Sequence, residues 1–408
     1  MLCTPLVRVL FSTFALVVLS ATTLPAAELD LKHGLTEEQI ADGWIALFDG
    51  ETTFGWNKAA KINWSIKDGV LEASEGEIGL LATTAQFADF DLRLEFYADE
   101  NTNSGIFIRT PPKPQSPTYD CYEINIAPPT NSFPTGSIVG RQKATPECPP
   151  NTWHTMRILA EGDIVTVELN GEEVTRFEDP NYLGKGFIGL QHNEGLVRFR
   201  NVHLKPLNLQ SIFNGKDLTH WKEYPEMESE FSVDDEGHLR AINGPGQLET
   251  EESYGNFIFQ LQAKTHAKNL NSGVFFRCIP GDKMMGYESQ IHNGYEAEDR
   301  TLPLDAGTGA IFRRTVARKV VADDEEWFTK TLLVDGAHIS VWVNGYQVTA
   351  WNDPRDPDPN PRRGLRTEAG TIMLQGHDPT TDLSFRNFYI TELPGRWPSQ
   401  RKEYGPEK

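Results

Sequence analysis

Apolar and polar residues alternate along most of the chain. Phe90, Leu92, Leu94 and Phe96 fall on one side of an extended segment and Asp91, Arg93 and Glu95 on the other. Val165, Val167 and Leu169 alternate in the same way with Thr166, Glu168 and Asn170. A period of two marks a strand with one buried face. Asn170-Gly171 and Asn344-Gly345 each follow such a run, and both residue types tolerate the positive φ of a tight type I′ hairpin. Helical periodicity is nearly absent. A single turn is expected at 36–41, where Thr36 can cap and Gln39 lies three residues on.

The strands come in two sets. Phe48, Gly50 and Trp56 recur at one constant offset as Phe213, Gly215 and Trp221. In the same order, "NWSIKDGVLEA" is answered by "EFSVDDEGHLRA", "FDLRLEF" by "FIFQLQA", "NSGIFIR" by "NSGVFFR" and "CYEINI" by "GYESQI". "VTVELNGEEV" then pairs with "ISVWVNGYQV", and "VRFRNVHL" with "LSFRNFYI". An isolated motif does not bring ordered companions, so a whole domain is duplicated. Short strands broken by Gly and Asn turns indicate an all-β fold of two antiparallel β-sandwiches in tandem. The copies span 44–205 and 206–392, joined at "LKPLNLQ" around Pro206, with a lead-in at 28–43 and a tail at 393–408. Proline-rich stretches near Pro112 and Pro357 cannot join sheet ladders and are expected as surface loops at the rim. Trp44, Trp56, Trp64 and Trp221 are read as core.

A length of 408 residues suits two domains rather than one core. With 38 Lys+Arg against 58 Asp+Glu, the net charge of −20 repels phosphate backbones and anionic lipid, so nucleic acid is excluded as a partner. Residues 1–27 place Arg8 before an apolar run and end in Ala26-Ala27, the pattern of a cleaved signal peptide. No later stretch is long and apolar enough to span a membrane. The mature chain is therefore expected to be secreted or periplasmic. In an oxidising compartment Cys121 and Cys148 either pair or stay free, and Cys278 is left alone.

The ordered set F-D/N-G…W, N-S-G-hydrophobic-F-hydrophobic-R, Y-E-x-N/Q-I, W-x-T, V-N-G and F-R-N resembles the domain of unknown function 1080, or 3-keto-disaccharide hydrolase, family. The resemblance covers about residues 44–205 and again 209–392, together nearly all of the mature chain. It implies a concanavalin A-like jelly roll with a concave sugar-binding face, and cleavage of glycosides whose sugar carries a 3-ketone, by hydrolysis or by elimination across C1 and C2.

A ketone at C3 acidifies the hydrogen on C2, so cleavage needs a base there, a cation near the ketone oxygen and an acid for the leaving oxygen. The E-x-D-x-x-E spacing of ordinary glycosidases of this fold is not found. Alternation puts Glu288, Gln290 and His292 on one face of "YESQIH", and Asn271, Gly273, Phe275 and Arg277 on one face of "NSGVFFR". "LQGHD" supplies Gln375 and His377, and a shift of apolar phase between Phe385 and Phe388 suggests a bulge that re-aims Arg386. Glu288 or His377 is the expected base, and Arg277 or Arg386 the expected enolate partner. A structural ion pair between Arg277 and Glu288 is the alternative.

The first copy keeps Glu123, Arg109 and Arg200 but has Asn125 for Gln290 and Ala127 for His292, and its His192 has the wrong parity to match His377. Phe275, Gln290, His292 and Gln375, with Glu123, Asn125, Arg109, Arg200 and His192 of the first copy, are taken as substrate-binding, and any catalysis is assigned to the second copy. No cofactor is expected. The loop "DENTN" from Asp99 offers hard oxygen ligands of the kind Ca²⁺ takes but lacks an EF-hand's spacing, which favours a solvated acidic loop. An oligosaccharide or glycoside is the expected partner, with a non-catalytic carbohydrate-binding module as the other reading.

Overall fold

The computed structural model describes residue 1 and residues 31–395. The expected signal peptide and nearly all of the expected tail lie outside the described residues. Four antiparallel sheets form two sandwiches. In the first, an eight-stranded sheet runs Glu172–Glu178, Ile164–Leu169, Trp153–Glu161, Phe90–Ala98, Val197–Pro206, Val70–Ala73 and Ser65–Lys67, and Ile45–Ala46 adds to Val197–Pro206. It covers a five-stranded sheet ordered Trp56–Lys58, Gly79–Thr83, Phe187–His192, Ser104–Thr110 and Tyr122–Ile126. The second sandwich repeats both sheets, with the five-stranded one ordered Trp221–Lys222, Gly246–Thr250, Thr371–Gly376, Ser272–Cys278 and Tyr287–Ile291. This is the all-β tandem jelly-roll architecture expected from the alternation.

The motif that opens each copy has one physical cause in both. Asp49 accepts from the backbone N–H of Glu51 and Thr52 at 2.8 and 2.6 Å, closing an Asx turn. The chain then returns so that the Trp56 indole donates to the Leu47 carbonyl at 2.6 Å. In the second copy Asn214 accepts from Lys216 and Asp217 at 2.8 and 3.0 Å, and the Trp221 indole donates to Ile212 O at 3.1 Å. Trp44, Trp56, Trp64 and Trp221 are all buried. Asn170-Gly171 and Asn344-Gly345 take φ of 52°/86° and 47°/75°, as a type I′ turn requires. Thr36 and Gln39 form a reciprocal capping box on the short helix Glu37–Ala41.

The copies pack against each other within one compact unit. Trp342, a buried side chain of the second copy, joins the apolar core of the first, together with Ile258 and Leu333. Truncating such a tryptophan costs about 3–5 kcal/mol. Its indole donates to Ala46 O at 3.0 Å, and Gln260 Nε2 donates to Gly43 O at 2.8 Å. The nearly buried pair Lys185–Asp335, at 2.6 Å, ties the same seam. Cys121, Cys148 and Cys278 are all free thiols.

Candidate functional site

Each five-stranded sheet carries a pocket on its outer face, at the same place in both copies. In the second copy the cavity measures about 490 Å³, within the usual range for small-molecule sites of about 300–1,000 Å³. Its floor comes from the pairing of Ser272–Cys278 with Tyr287–Ile291, which sets Phe275 opposite Glu288 and Gly273 opposite Gln290. Gly273 is there to make room: a Cβ at this position would lie 2.8 Å from Glu288 Oε1.

Glu288 is buried, and among the described residues no hydrogen bond or ion pair engages its carboxyl. Burial pushes its pKa up to about 7, although Arg362, His377 and Lys330 pull it down and Asp305 adds to the rise. Gln290 Nε2 donates to Asp305 Oδ2 at 2.9 Å, and Asn271 Nδ2 donates to the same carboxylate. Gln290 and Gln375 each keep a buried amide oxygen without a partner. Both residues line the cavity, and an amide oxygen suits a hydroxyl donor.

His377 shares the wall. Its Nδ1 lies 2.7 Å from Asp378 Oδ2. Hydrogen bonds from Thr380 and His377 hold the Asp378 carboxyl below its ordinary range, so it is an acceptor and Nδ1 must carry the proton. Nε2 is then the basic nitrogen. Arg362, from the proline-rich loop, donates to Met284 O at 2.6 Å and sits 5.8 Å over the Phe275 ring. Lys283 and Arg313 complete a cationic rim. Beneath the strand lies Lys330, fully enclosed, donating to Ser289 O and Gln290 O at 2.7 and 2.9 Å. Burial pushes its pKa down to about 7, with Glu288 opposing.

A family model described as the 3-keto-alpha-glucoside-1,2-lyase-like domain matches residues 43–205 and again 208–391. The chain belongs to this family. A 3-keto-disaccharide hydrolase of Bacteroides thetaiotaomicron is 26% identical over 249 residues, covering 46% of this chain and 85% of that protein. Two crystal structures of candidate glycosyl hydrolases from Parabacteroides distasonis cover 43% and 40% of this chain and 98% and 99% of their own. They are 23% and 30% identical, at TM-scores of 0.36 and 0.34. Family membership rests on the double match, not on these likenesses. The protein is carbohydrate-active and glycosyl hydrolase-like, built from two 3-keto-alpha-glucoside-1,2-lyase-like domains.

In the second of these domains Glu288, Gln290, Gln375, His377 and Phe275 line one pocket. His292 lies beside it, buried, its Nδ1 accepting from Gly294 N at 3.3 Å. The arginines are a different matter. Arg277 is fully buried and bonds Gly255 O, Gly336 O, Arg366 O and Asn256 Oδ1 at 2.6–3.0 Å. Its φ of 48° and the register shift between Phe275 and Cys278 explain this. One left-handed residue reverses the alternation, costing about 1–3 kcal/mol that the four bonds offset. Arg277 is therefore a clamp rather than an enolate partner, and it makes no ion pair with Glu288. Arg109 repeats it in the first copy, with φ 49° and bonds to Ala88 O, Gly162 O and Asp89.

Arg386 and Arg200 lie on the eight-stranded sheets, away from both pockets. The expected bulge is present, with a register shift opposite Gln260/Gln262 and Asn387 at φ 57°, but it aims Arg386 at Trp327, 4.0 Å away, and at Gln262. Arg200 stacks 4.1 Å over Trp153 and pairs with Glu95.

Glu123 and Asn125 line the first pocket, whereas His192 is buried outside its lining with neither ring nitrogen bonded. Asn193, two residues after Gln191, takes the place that His377 holds two residues after Gln375. Asp99 directs its oxygens to Thr102 and to the N–H groups of Asn101 and Leu196. Among the described residues no cluster of His, Cys, Asp or Glu is grouped to hold a metal ion.

Asp305, Arg362, Lys283, Arg313 and Lys330 were not anticipated. Lys330 alone had a signal: it interrupts the inward apolar phase Phe328, Leu332, Val334, at the position where the first copy has Met156.

Proposed function

We propose that the second domain cleaves 3-keto-glycosides by removing the C2 proton. The observation that carries this reading is a buried carboxyl, Glu288, with no partner of its own, facing a sugar-sized cavity rimmed by Arg362 and backed by His377. The ketone makes the C2–H acidic. One of the two bases takes the proton, the electron pair forms the C1–C2 double bond after enolisation, and the C1–O bond breaks. The leaving oxygen collects a proton from the other acid, and Arg362 balances charge on the ketone oxygen. The products are an unsaturated keto-sugar and an alcohol; water added across the double bond makes the net change a hydrolysis.

A carboxyl poised near neutrality suits either direction of proton transfer. The Arg8-led apolar segment supports an exported enzyme acting on extracellular or periplasmic glycosides. Incubation with a 3-keto disaccharide and its unoxidised parent tests the reading: cleavage of the ketone alone is expected, and cleavage of both or neither refutes it.

A further inference from the structure

The first domain's pocket is larger, about 590 Å³, and repeats the second's ground plan with fewer charges. Asn103, Phe107, Glu123, Asn125, Gln191 and Asn193 stand where Asn271, Phe275, Glu288, Gln290, Gln375 and His377 stand. The imidazole has become an amide. Among the lining residues the cations at its neighbour's rim have no counterpart beyond Lys113, an exposed side chain, and Glu77 is exposed too.

Two observations nevertheless mark it as built for a ligand. Glu123 is more than nine-tenths buried, lines the cavity and has no hydrogen-bond or ion-pair partner among the described residues. Gly105, paired with Asn125 on the neighbouring strand, lacks the Cβ that would come within 3.2 Å of Glu123 Cγ, much as Gly273 makes room for Glu288. Gln191, also more than nine-tenths buried, lines the same cavity, and its buried amide oxygen has no partner. A buried carboxyl and a buried amide oxygen without partners are costly unless something else bonds them.

We propose that this pocket is a second saccharide site, one that holds an uncharged, unoxidised sugar without cleaving it. The proposal rests on the carbohydrate reading given above. Amides from Asn125, Gln191 and Asn193 offer both donors and acceptors, matching hydroxyls that are both. Phe107, Phe133 and the exposed Ile78 supply apolar surface for a pyranose face. With no imidazole, and Lys113 the one cation among the lining residues, an enolate formed here would have little stabilising charge. The domain is a holder in a chain whose other half carries the reactive groups.

Calorimetric titration of the full chain with maltotriose, cellotriose and laminaritriose tests this. At least one should bind. Glu123→Leu should weaken it at least tenfold while raising Tm, because a partnerless buried carboxyl is removed. Ile78→Asp, on the exposed rim, should weaken it with Tm unchanged. Glu288→Gln should leave the affinity unaltered. The proposal is overturned if no trisaccharide binds, if Glu123→Leu titrates like the wild type, or if Glu288→Gln loses the binding instead. Should the wild type cleave no keto-disaccharide while Glu123→Leu still loses trisaccharide affinity, the reaction is refuted and the second site stands.

Discussion

Replacing Glu288 by Gln separates the carboxyl's chemistry from its structural burden. Glutamine mimics the protonated acid in shape and polarity, so the difference between variant and wild type isolates ionisation. Burial moves the Glu288 pKa from its ordinary 4.5 up to about 7. An acid whose folded pKa is raised contributes stability that is fully present below the unfolded pKa and is lost as pH climbs from 4.5 towards 7. At about 1.4 kcal/mol per tenfold, the loss amounts to about 3 kcal/mol and is complete above about pH 7.

Glu288→Gln should therefore match the wild type near pH 4.5 and exceed it by about 3 kcal/mol at pH 8. With about 2–4 °C per kcal/mol in a domain of this size, Tm should rise by roughly 6–12 °C. Thermal scans from pH 4.5 to 8.5 measure the gap. In parallel, kcat/KM on a 3-keto disaccharide should rise through pH 7 in the wild type and vanish in the variant. A Tm gap that does not widen with pH would mean that the carboxylate finds a partner when ionised, and the argument for a poised base would collapse.

Arg277→Lys should lower stability by about 2 kcal/mol, since an ammonium cannot bond the four acceptors of a fork, and should leave kcat/KM unchanged; a selective loss of turnover would return Arg277 to the site. Arg362→Ala should reduce kcat/KM by about a hundredfold with Tm unaffected, the usual effect of deleting one charge-stabilising donor, and an unaltered rate would remove it from the mechanism. Lys330→Met copies the residue that the first domain carries at this place. Without the cation beneath it, Glu288 should titrate about one pH unit higher in the kcat/KM profile, whereas an unmoved midpoint would mean the lysine is only packing.

The strands were legible because period two is a local property: each run from Phe90 or Val165 declares its buried face without reference to its neighbours. The duplication, the hairpins at Asn170 and Asn344 and the helix cap at Thr36 are equally local. The pocket was legible only where two conditions held together, an unbroken strand and a correct guess of sheet. Glu288, Gln290, Phe275 and Gln375 satisfy both. Arg277 fails the first, since a single residue at φ 48° reverses every parity after it, and no residue in "FFRC" announces that turn. Arg386 fails the second. Its bulge was visible as a broken apolar phase, but which sheet Asp382–Glu392 joins is decided by pairing with strands more than a hundred residues away. Asp305 and Arg362 come from loops, where no period exists to be read.

The two copies differ least where the fold is made and most where charge is placed. Each keeps the Asx turn and its indole lock, the left-handed arginine clamp, and a glycine facing a buried glutamate. The clamp fixes the end of Ser272–Cys278 and the glycine fixes the carboxyl's seat, so the glutamate is held in place before any cation is supplied. Arg362 comes from a rim loop, His377 from the residue just past its strand, and Lys330 from a single inward position of the opposite sheet. None of the three carries backbone geometry, so their replacement in the first copy leaves its sandwich intact. Both glutamates reach a pKa of about 7, Glu123 by burial alone and Glu288 by burial and Asp305 against Arg362, His377 and Lys330. Of the groups that oppose the rise at Glu288, Arg362 and His377 line the pocket, where they can also meet a developing enolate. A shared scaffold that seats a neutral carboxyl, with charged groups added from outside the scaffold, is how one fold would hold sugar in one half and attack it in the other, as proposed above.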